Sequence, residues 1–544
     1  MAKLHVLKNT PLISLIEEKK RKNYFCALFA GKIKELNYVV DKEGDYDVEF
    51  LSLDAPVASR IYATSIRYLV SMALKEIAPK VEFRFFYNIS RSIFVKPVWP
   101  KTFVVTPEFV DKLKEKMDEL IQKDLPMVRK RVSVDEAKEM YRKLGFRDKL
   151  NILKYRKTGN AHIYETIDGD FRYWDYLYSY MVPSTGYLTH CELNYYTPGF
   201  LILVPRSECD GEIPPFVDEP KFASSLQKSY TWVSNNQLST VGEINKFIKD
   251  YSSMALINVC EARMTDMISQ LGRTIVSADT PIRLICIAGP SSSGKTSFAN
   301  RIMFDLMNRF LRPIRISMDD YFLSPNLLKP GTSLESVEAL DLELFNSQMA
   351  SLIRGETVTL PVYDFVTRTR KQGETLTLNE NQPLIIEGIH ALNPKVCSNI
   401  PSMQKFKIYI APQPQLSIDN HSPLSLTDIR LLRRMARDAR TRNTDPVKTI
   451  QMWPDVRDGE FKYIYPTQEN ADFVFDTFMP YELCAIRNIV LPLLDKIDVD
   501  QPEFITANRL KSMVKYFYPI DIEDIPCNSI MREFVGGSSF KDAR

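Results

Sequence analysis

"IAGPSSSGKTSF", residues 287–298, decides how the rest of the chain is read. Gly289, Gly294, Lys295 and Thr296 meet the pattern G-x-x-x-x-G-K-[ST]. A glycine-rich turn of this kind lets backbone N–H groups wrap a phosphate, and a helix starting there adds the partial positive charge of its N-terminus. The flanks agree. "IRLICIAG" is a short apolar run of the buried parallel-strand type, and the spacing predicts a helix from Lys295 to about Phe310. "PIRIS" and "PLIIEG" read as later strands, so the pattern from Ile282 onward is α/β. In such a P-loop the cradle is Gly289, Ser291, Ser292, Ser293, Gly294 and Ser297. Lys295 would reach the β/γ-phosphates of a nucleotide, and the Thr296 hydroxyl would bind Mg²⁺; the loop alone does not separate a kinase from an ATPase or GTPase.

A base-reading N-K-x-D motif, which a GTPase needs, is absent. Three stretches supply candidates for the remaining chemistry. "RISMDDYF" ends a strand with Asp319 and Asp320, where a carboxylate can take the proton of an acceptor hydroxyl. The plainer reading is a strand-end pair capping a turn. "LIIEGIHAL" places Glu387 at the end of a buried strand, where leaving a carboxylate unpaired is costly and a metal role is favoured. His390, three residues on, reads as a satisfied structural residue. "RLLRRMARDARTR" sets Arg430, Arg433, Arg434, Arg437, Arg440 and Arg442 at helical spacing. That row is either a lid that closes on phosphates or a solvated basic face paired with Asp438.

The 544 residues suffice for two to four domains, and 44% hydrophobic with 26% charged residues is a soluble globular balance. A net charge of +3 argues against strong nucleic-acid or anionic-membrane affinity. No apolar run is long enough to span a bilayer and the N-terminus lacks a leader pattern, so a cytoplasmic location is expected. The eight cysteines show no metal-ligand spacing; Cys286 and Cys484 read as core thiols. The five histidines are scattered.

Ahead of the P-loop, residues 24–52 read as short strands, Ala58–Ile77 as helix, and "FRFFYNISRSIFVKP" as strand. Thr106 and Pro107 start a helix whose apolar face is Val110, Leu113, Met117, Leu120 and Ile121. Ser133 and Glu136 form a capping box, and Gly145 ends that helix. Four prolines in "VPRSECDGEIPPFVDEPKF" place a boundary near residues 205–222, and a bridging helix follows Thr240.

"GPSSSGKTSFA", "ISMDDYF", "LPVYDF", "IIEGIHAL" and "RLLRRMARDARTR", in this order, resemble the uridine–cytidine kinase and phosphoribulokinase family across residues 276–500. The resemblance implies an ATP- and Mg²⁺-dependent kinase. Asp319 would be the general base, with Lys295 and Arg437 also catalytic, and Thr296 and Glu387 the metal ligands. Arg437 and Arg442 would lie on the ATP phosphates as lid residues. Tyr363 would contact a nucleobase, Arg434 would stand near the acceptor sugar, and Phe322 stands where the family often has Tyr. The ribose-binding acid falls on Glu335, with Glu338 a rival. Arg368 takes the place of a base-reading His, and Thr444 that of a third lid arginine.

"DLPMVRKRVSVDEAKEMYRKLG" is similar to the second additional domain of threonyl-tRNA synthetases, and residues 1–55 resemble the TGS domain that precedes it. The H-x-x-x-H pair of that editing domain falls on Thr64 and Tyr68, poor substitutes for imidazole ligands. "YMVPSTGYL", "WPDVRDGEFKYIYPTQENAD" and "NSIMREFVGGSSF" extend the likeness to a large, bacterial-type nucleoside kinase. The expected fold class is α/β: a P-loop kinase domain with a parallel sheet flanked by helices, preceded by α+β TGS-like and synthetase-editing-like domains. Expected domains are 1–55, 56–205, a linker with bridging helices at 206–275, and the kinase domain with its tail at 276–544. The expected partner is a small-molecule acceptor, a uridine- or cytidine-like nucleoside with a 5′-hydroxyl. A phosphosugar or vitamin precursor, a tRNA-interacting or nucleotide-sensing role, and homo-oligomer formation stand as alternatives. Gly536 and Gly537 read as part of a docked C-terminus rather than an anion-binding turn.

Overall fold

The computed structural model describes residues 2–87, 89–154, 159–329, 331–333, 335–364, 367–380 and 382–540. Asn88, Leu334 of the acidic stretch and Phe365 of "LPVYDF" lie outside the described residues.

Five parallel strands form the sheet that carries the P-loop, in the order Ile314–Ser317, Leu384–Glu387, Leu284–Ala288, Lys405–Ala411, Phe473–Asp476. The central strand Leu284–Ala288 is buried along its whole length, as a strand covered on both faces must be. On one side pack the P-loop helix Lys295–Asn308 and the long helix Ser253–Val276, sharing a core that includes Ile257, Met264, Phe298 and Ile302. On the other, Leu352, Met349 and Phe345 of helix Leu342–Ile353 close over Leu284, Cys286 and Ile386. The P-loop helix stops at Asn308, two residues short of the expected end, and Phe310 follows with φ +67 and its ring exposed.

The front half is built of antiparallel sheets. Strands Ala2–Val6, Gly44–Leu51, Cys26–Phe29 and Lys32–Lys34 make one sheet. A second runs Glu192–Tyr196, Gly199–Leu203, Ile93–Trp99, Glu82–Tyr87, so "FRFFYNISRSIFVKP" is two paired strands rather than one. The helix Pro56–Ile77 lies in the core of this half beside Pro107–Gln122. Thr106 caps the latter, accepting from Phe109 N–H. Val110, Leu113, Met117 and Leu120 are buried, and Ile121 is half-buried at the rim. The Ser133–Glu136 capping box forms, and Gly145 ends its helix at φ +74, a conformation glycine adopts without the Cβ penalty. A second capping box, Thr240 with Glu243, opens the helix Val241–Asp250.

A short hairpin, Ser417–Asp419 with Ser422–Pro423, leads from the last residues of a sheet strand to the arginine helix Leu426–Thr441. Its tip enters the front half. Asn420 accepts from Phe85 N–H at 2.8 Å and from Arg84 Nε at 2.7 Å, and donates its own N–H to Asp148. Lys149 bridges Asp175 (2.6 Å) and Asp419 (3.0 Å), all three buried, and His421 Nδ1 lies 2.6 Å from Asp175. Such a buried ionic group persists only when each charge is matched, so the hairpin is seated specifically.

Candidate active site

The P-loop turns tightly because its residues allow it. Gly294 has φ +90. At Gly289 a Cβ would fall 2.1 Å from the Ile410 carbonyl oxygen, so no side chain fits. Ser292 also holds a left-handed φ of +60. Ser292 Oγ and Ser293 Oγ are buried without hydrogen-bond partners among the described residues. Buried hydroxyls are seldom left this way, and in a loop of N–H donors they suit a polyphosphate. Lys295 Nζ folds back to the carbonyls of Gly289 (3.0 Å) and Pro290 (3.3 Å). Desolvation lowers the pKa of Lys295, while Glu387, Asp319 and Glu533 work to keep it charged.

Asp319 is the second residue of a one-turn helix, Met318–Tyr321, that follows its strand, its N–H held by Ser317 Oγ. Crowding in the cleft raises its pKa, and Lys295, Arg442 and Arg437 pull it back. The side chain remains accessible, so the walls of the cleft rather than full burial produce the shift. Lys295 and Asp319 thus act on each other across one cleft. Asp320 faces away from this pair. Its carboxylate accepts from Tyr363 N–H at 3.1 Å and pins the hairpin Val358–Asp364/Thr369–Leu376. That hairpin brings Tyr363 to Phe322, ring centroids 5.7 Å apart.

Glu387 is 6% exposed, at the end of its strand, in register with Ile287 on one neighbouring strand and Ser317 on the other. Burial, reinforced by Asp319, raises its pKa to about 7, against the pull of Arg315 (3.3 Å away) and Lys295. The Glu387 carboxylate and the half-exposed Thr296 hydroxyl are hard oxygen donors of the kind Mg²⁺ prefers. Among the described residues no cluster of three or more His, Cys, Asp or Glu is gathered for a metal, so these two would act with substrate oxygens.

The arginine helix divides its work. Arg430 and Arg433 are fully buried. Arg430 pairs with Glu460 and donates to Ser291 O (2.9 Å); Arg433 grips Glu482 at 2.6 Å and donates to Thr477 O and Ser293 O. They hold the loop's carbonyls from behind, so they belong neither to a mobile lid nor to a solvated face. Arg434, Arg437 and Arg442 instead gather on Asp438, at 3.3, 2.8 and 3.7 Å. Arg434 and Glu335 influence each other, and burial raises the Glu335 pKa before Arg434 and Lys295 lower it. Glu338 is exposed. Arg368 sits exposed in the hairpin turn at φ +54. Thr444 donates its N–H to Asp438 O.

Two residues near the loop carry contacts that the sequence pattern does not show. His390 is 2% exposed and packs edge-on against Tyr463, with no strict hydrogen-bond geometry at either ring nitrogen. Backbone groups of Glu335 and Ser336 lie near enough to act on it, and burial lowers its pKa to about 4. Its place three residues after Glu387 is the signal that could have drawn it in. The other is Glu533 of the C-terminal tail, to which Ser297 donates from its N–H (3.2 Å) and its hydroxyl (2.9 Å). The tail is docked: Ile530 packs against Gly294, Phe534 lies under Arg433, and Arg440 donates to Glu533 O. The Gly536–Gly537 turn is closed by Arg532 and Arg440.

A phosphate loop, an opposed carboxylate and a buried strand-end glutamate at one sheet edge define a P-loop phosphotransferase acting on a hydroxyl acceptor. Residues 284–483 match the Phosphoribulokinase / Uridine kinase family. The uridine kinase of Macrococcus caseolyticus is 30% identical over 196 residues, 35% of this chain and 86% of that protein. The uridine kinase of Borrelia duttonii is 28% identical over 197 residues, 36% and 85% of the two chains. A solved structure described as a possible uridine kinase from Bacillus stearothermophilus aligns with TM-score 0.28 at 22% identity, over 39% of this chain and 100% of its own. Through this segment the chain belongs to the phosphoribulokinase/uridine kinase family. No described helix is long and apolar enough to cross a membrane.

Proposed function

We propose that the protein transfers the γ-phosphoryl group of ATP to the 5′-hydroxyl of a uridine- or cytidine-like nucleoside. The observation that supports this reading is geometric: the P-loop before Lys295 and the turn bearing Asp319 follow the ends of two parallel strands in register with Glu387 between them, and the two charges influence each other. Relatives that are uridine kinases support the acceptor class. So does the Phe322–Tyr363 pair, a wall on which a base can rest, while Glu335 and Arg434, which influence each other, are available for sugar hydroxyls.

In this mechanism the loop N–H groups and Lys295 hold the triphosphate. Asp319, its pKa raised, accepts the proton of the acceptor hydroxyl. The hydroxyl oxygen bonds to the γ-phosphorus as the bond to the β,γ-bridging oxygen breaks, and ADP leaves. Arg437 and Arg442 turn from Asp438 toward the charge that develops on the transferred group. Mg²⁺, when held by Thr296 and Glu387, supplies neutralisation of the β- and γ-oxygens.

The same reading divides the chain into 1–55, 56–205, 206–275 and 276–544, the first two synthetase-like. Thr64 is taken up by Arg60 O and Arg67, and the Tyr68 hydroxyl by Tyr164, Thr166 and Tyr173, so the front half serves structure at these positions rather than hydrolysis. The test is a panel of nucleosides, sugars and phosphosugars incubated with ATP and Mg²⁺. Phosphorylation of a pyrimidine nucleoside in preference to the others supports the proposal; transfer only to a non-nucleoside would replace it.

A further inference from the structure

Between the front half and the kinase half lies a cavity of about 430 Å³ whose described lining includes none of Lys295, Asp319, Glu387 and Tyr363. Its size falls in the range of small-molecule sites, roughly 300–1,000 Å³. Its walls come from both halves. Tyr176, Tyr178 and Tyr516 form an aromatic side, with Tyr178 centred 4.7 Å from Tyr176 and 5.2 Å from Tyr516. Tyr178 reaches this place at φ +57, a backbone conformation unfavourable for a bulky residue and characteristic of functional sites.

Among the described residues the charged lining is Lys149, Asp419, Arg487 and Lys515. Asp419 is already claimed by Lys149. Beyond that pair stand Arg487 and Lys515. Arg487 donates from one terminal nitrogen to Phe517 O, yet its Nε is buried with no hydrogen-bond partner among the described residues. A guanidinium and an ammonium lining one cavity call for an anionic acceptor, and beside tyrosine rings set tilted and edge-on to one another the matching chemistry is a planar aromatic anion.

Two rigid connections lead from the cavity to the P-loop. Asp419 belongs to the hairpin that leads directly into the arginine helix. Arg487 lies on the helix Glu482–Leu494, whose first residue clamps Arg433, and Arg433 in turn holds Ser293 O. We propose that the cavity is an effector site for a planar aromatic anion of the nucleotide class, and that its occupancy alters ATP affinity at the P-loop. The ring stacks on the tyrosines and the anionic group meets Arg487 and Lys515.

The experiment is equilibrium dialysis of the full chain with uridine 5′-monophosphate, adenosine 5′-monophosphate and orotate, which separate a phosphate from a carboxylate anion. Binding in the cavity survives Lys295→Ala combined with Tyr363→Ala, which disable the cleft. It weakens about tenfold or more with Arg487→Gln and with Lys515→Glu, the latter an exposed side chain whose change leaves the fold intact. In the otherwise unaltered chain the bound compound shifts the Kd for ATP by about fivefold or more, in either direction. The proposal is overturned if the cleft-disabled chain binds none of the three compounds. It is equally overturned if both cavity substitutions leave binding unchanged, or if ATP affinity does not move on saturation.

Discussion

Glu533 takes both polar hydrogens that Ser297 offers, the N–H at 3.2 Å and the hydroxyl at 2.9 Å. Ser297 is the third residue of the P-loop helix, so its N–H is one of the donors the helix leaves for a phosphate. A carboxylate on that donor competes with the nucleotide's own charge. Glu533→Gln should therefore tighten ATP binding by roughly fivefold, the equivalent of about 1 kcal/mol for an anion at a helix N-terminus. Titration calorimetry with a non-hydrolysable ATP analogue measures it; weaker binding by the variant would mean that Glu533 supports the nucleotide instead.

Asp319→Asn keeps the shape of the cleft and removes the proposed base. Turnover should fall by about 10²–10⁴ while ATP affinity stays within about twofold. Lys295→Ala should lower both. Steady-state kinetics with direct ATP binding separates the two variants, and retained turnover in Asp319→Asn would remove this residue from the chemistry.

Arg433 and Arg437 stand one turn apart on the same helix yet should fail in opposite ways. Arg433→Met leaves the Glu482 carboxylate buried and unpaired, at a cost of about 3–5 kcal/mol in stability. Arg437→Ala removes a partly exposed partner of Asp438, so it should change stability by less than about 1 kcal/mol and lower kcat. Urea denaturation beside kcat measurements tests the contrast.

Much of this was legible in the chain because it is local. The loop, the strand before it and the strand-end carboxylates Asp319 and Glu387 follow from spacing and apolar runs. The Ser133–Glu136 box and the Gly145 stop are equally short-range. The division of labour on the arginine helix was not legible: periodicity puts Arg430, Arg434 and Arg437 on one face, but which face meets Glu460 and Glu482 depends on segments dozens of residues away. Glu533 was hidden for the same reason, lying 236 residues from Ser297 in a tail without periodicity. The surroundings of His390 were hidden too, because the groups nearest its ring, Tyr463 and the backbone of Glu335 and Ser336, lie far off in the chain.

Glu387 gives a pH signature. Its carboxyl is raised to about 7, first by burial and then by Asp319. Between the ordinary carboxylate range and 7 the folded protein holds a proton that the unfolded chain has released, so stability falls as pH rises through this window. The full shift corresponds to about 3 kcal/mol. Urea denaturation of the unliganded protein at about pH 5 and about pH 8 should show the wild type losing that amount relative to Glu387→Gln. Parallel profiles for the two proteins would show that the carboxyl titrates normally.

The most direct measurement is the affinity of a bisubstrate compound in which adenosine is joined through four phosphates to the 5′-oxygen of uridine. A cleft shared by Lys295 on the donor side and Asp319 and Tyr363 on the acceptor side predicts tighter binding than either ATP or uridine alone, lost in part by Lys295→Ala and in part by Tyr363→Ala. Binding no tighter than ATP, and indifferent to Tyr363→Ala, would contradict a joint donor and nucleoside site.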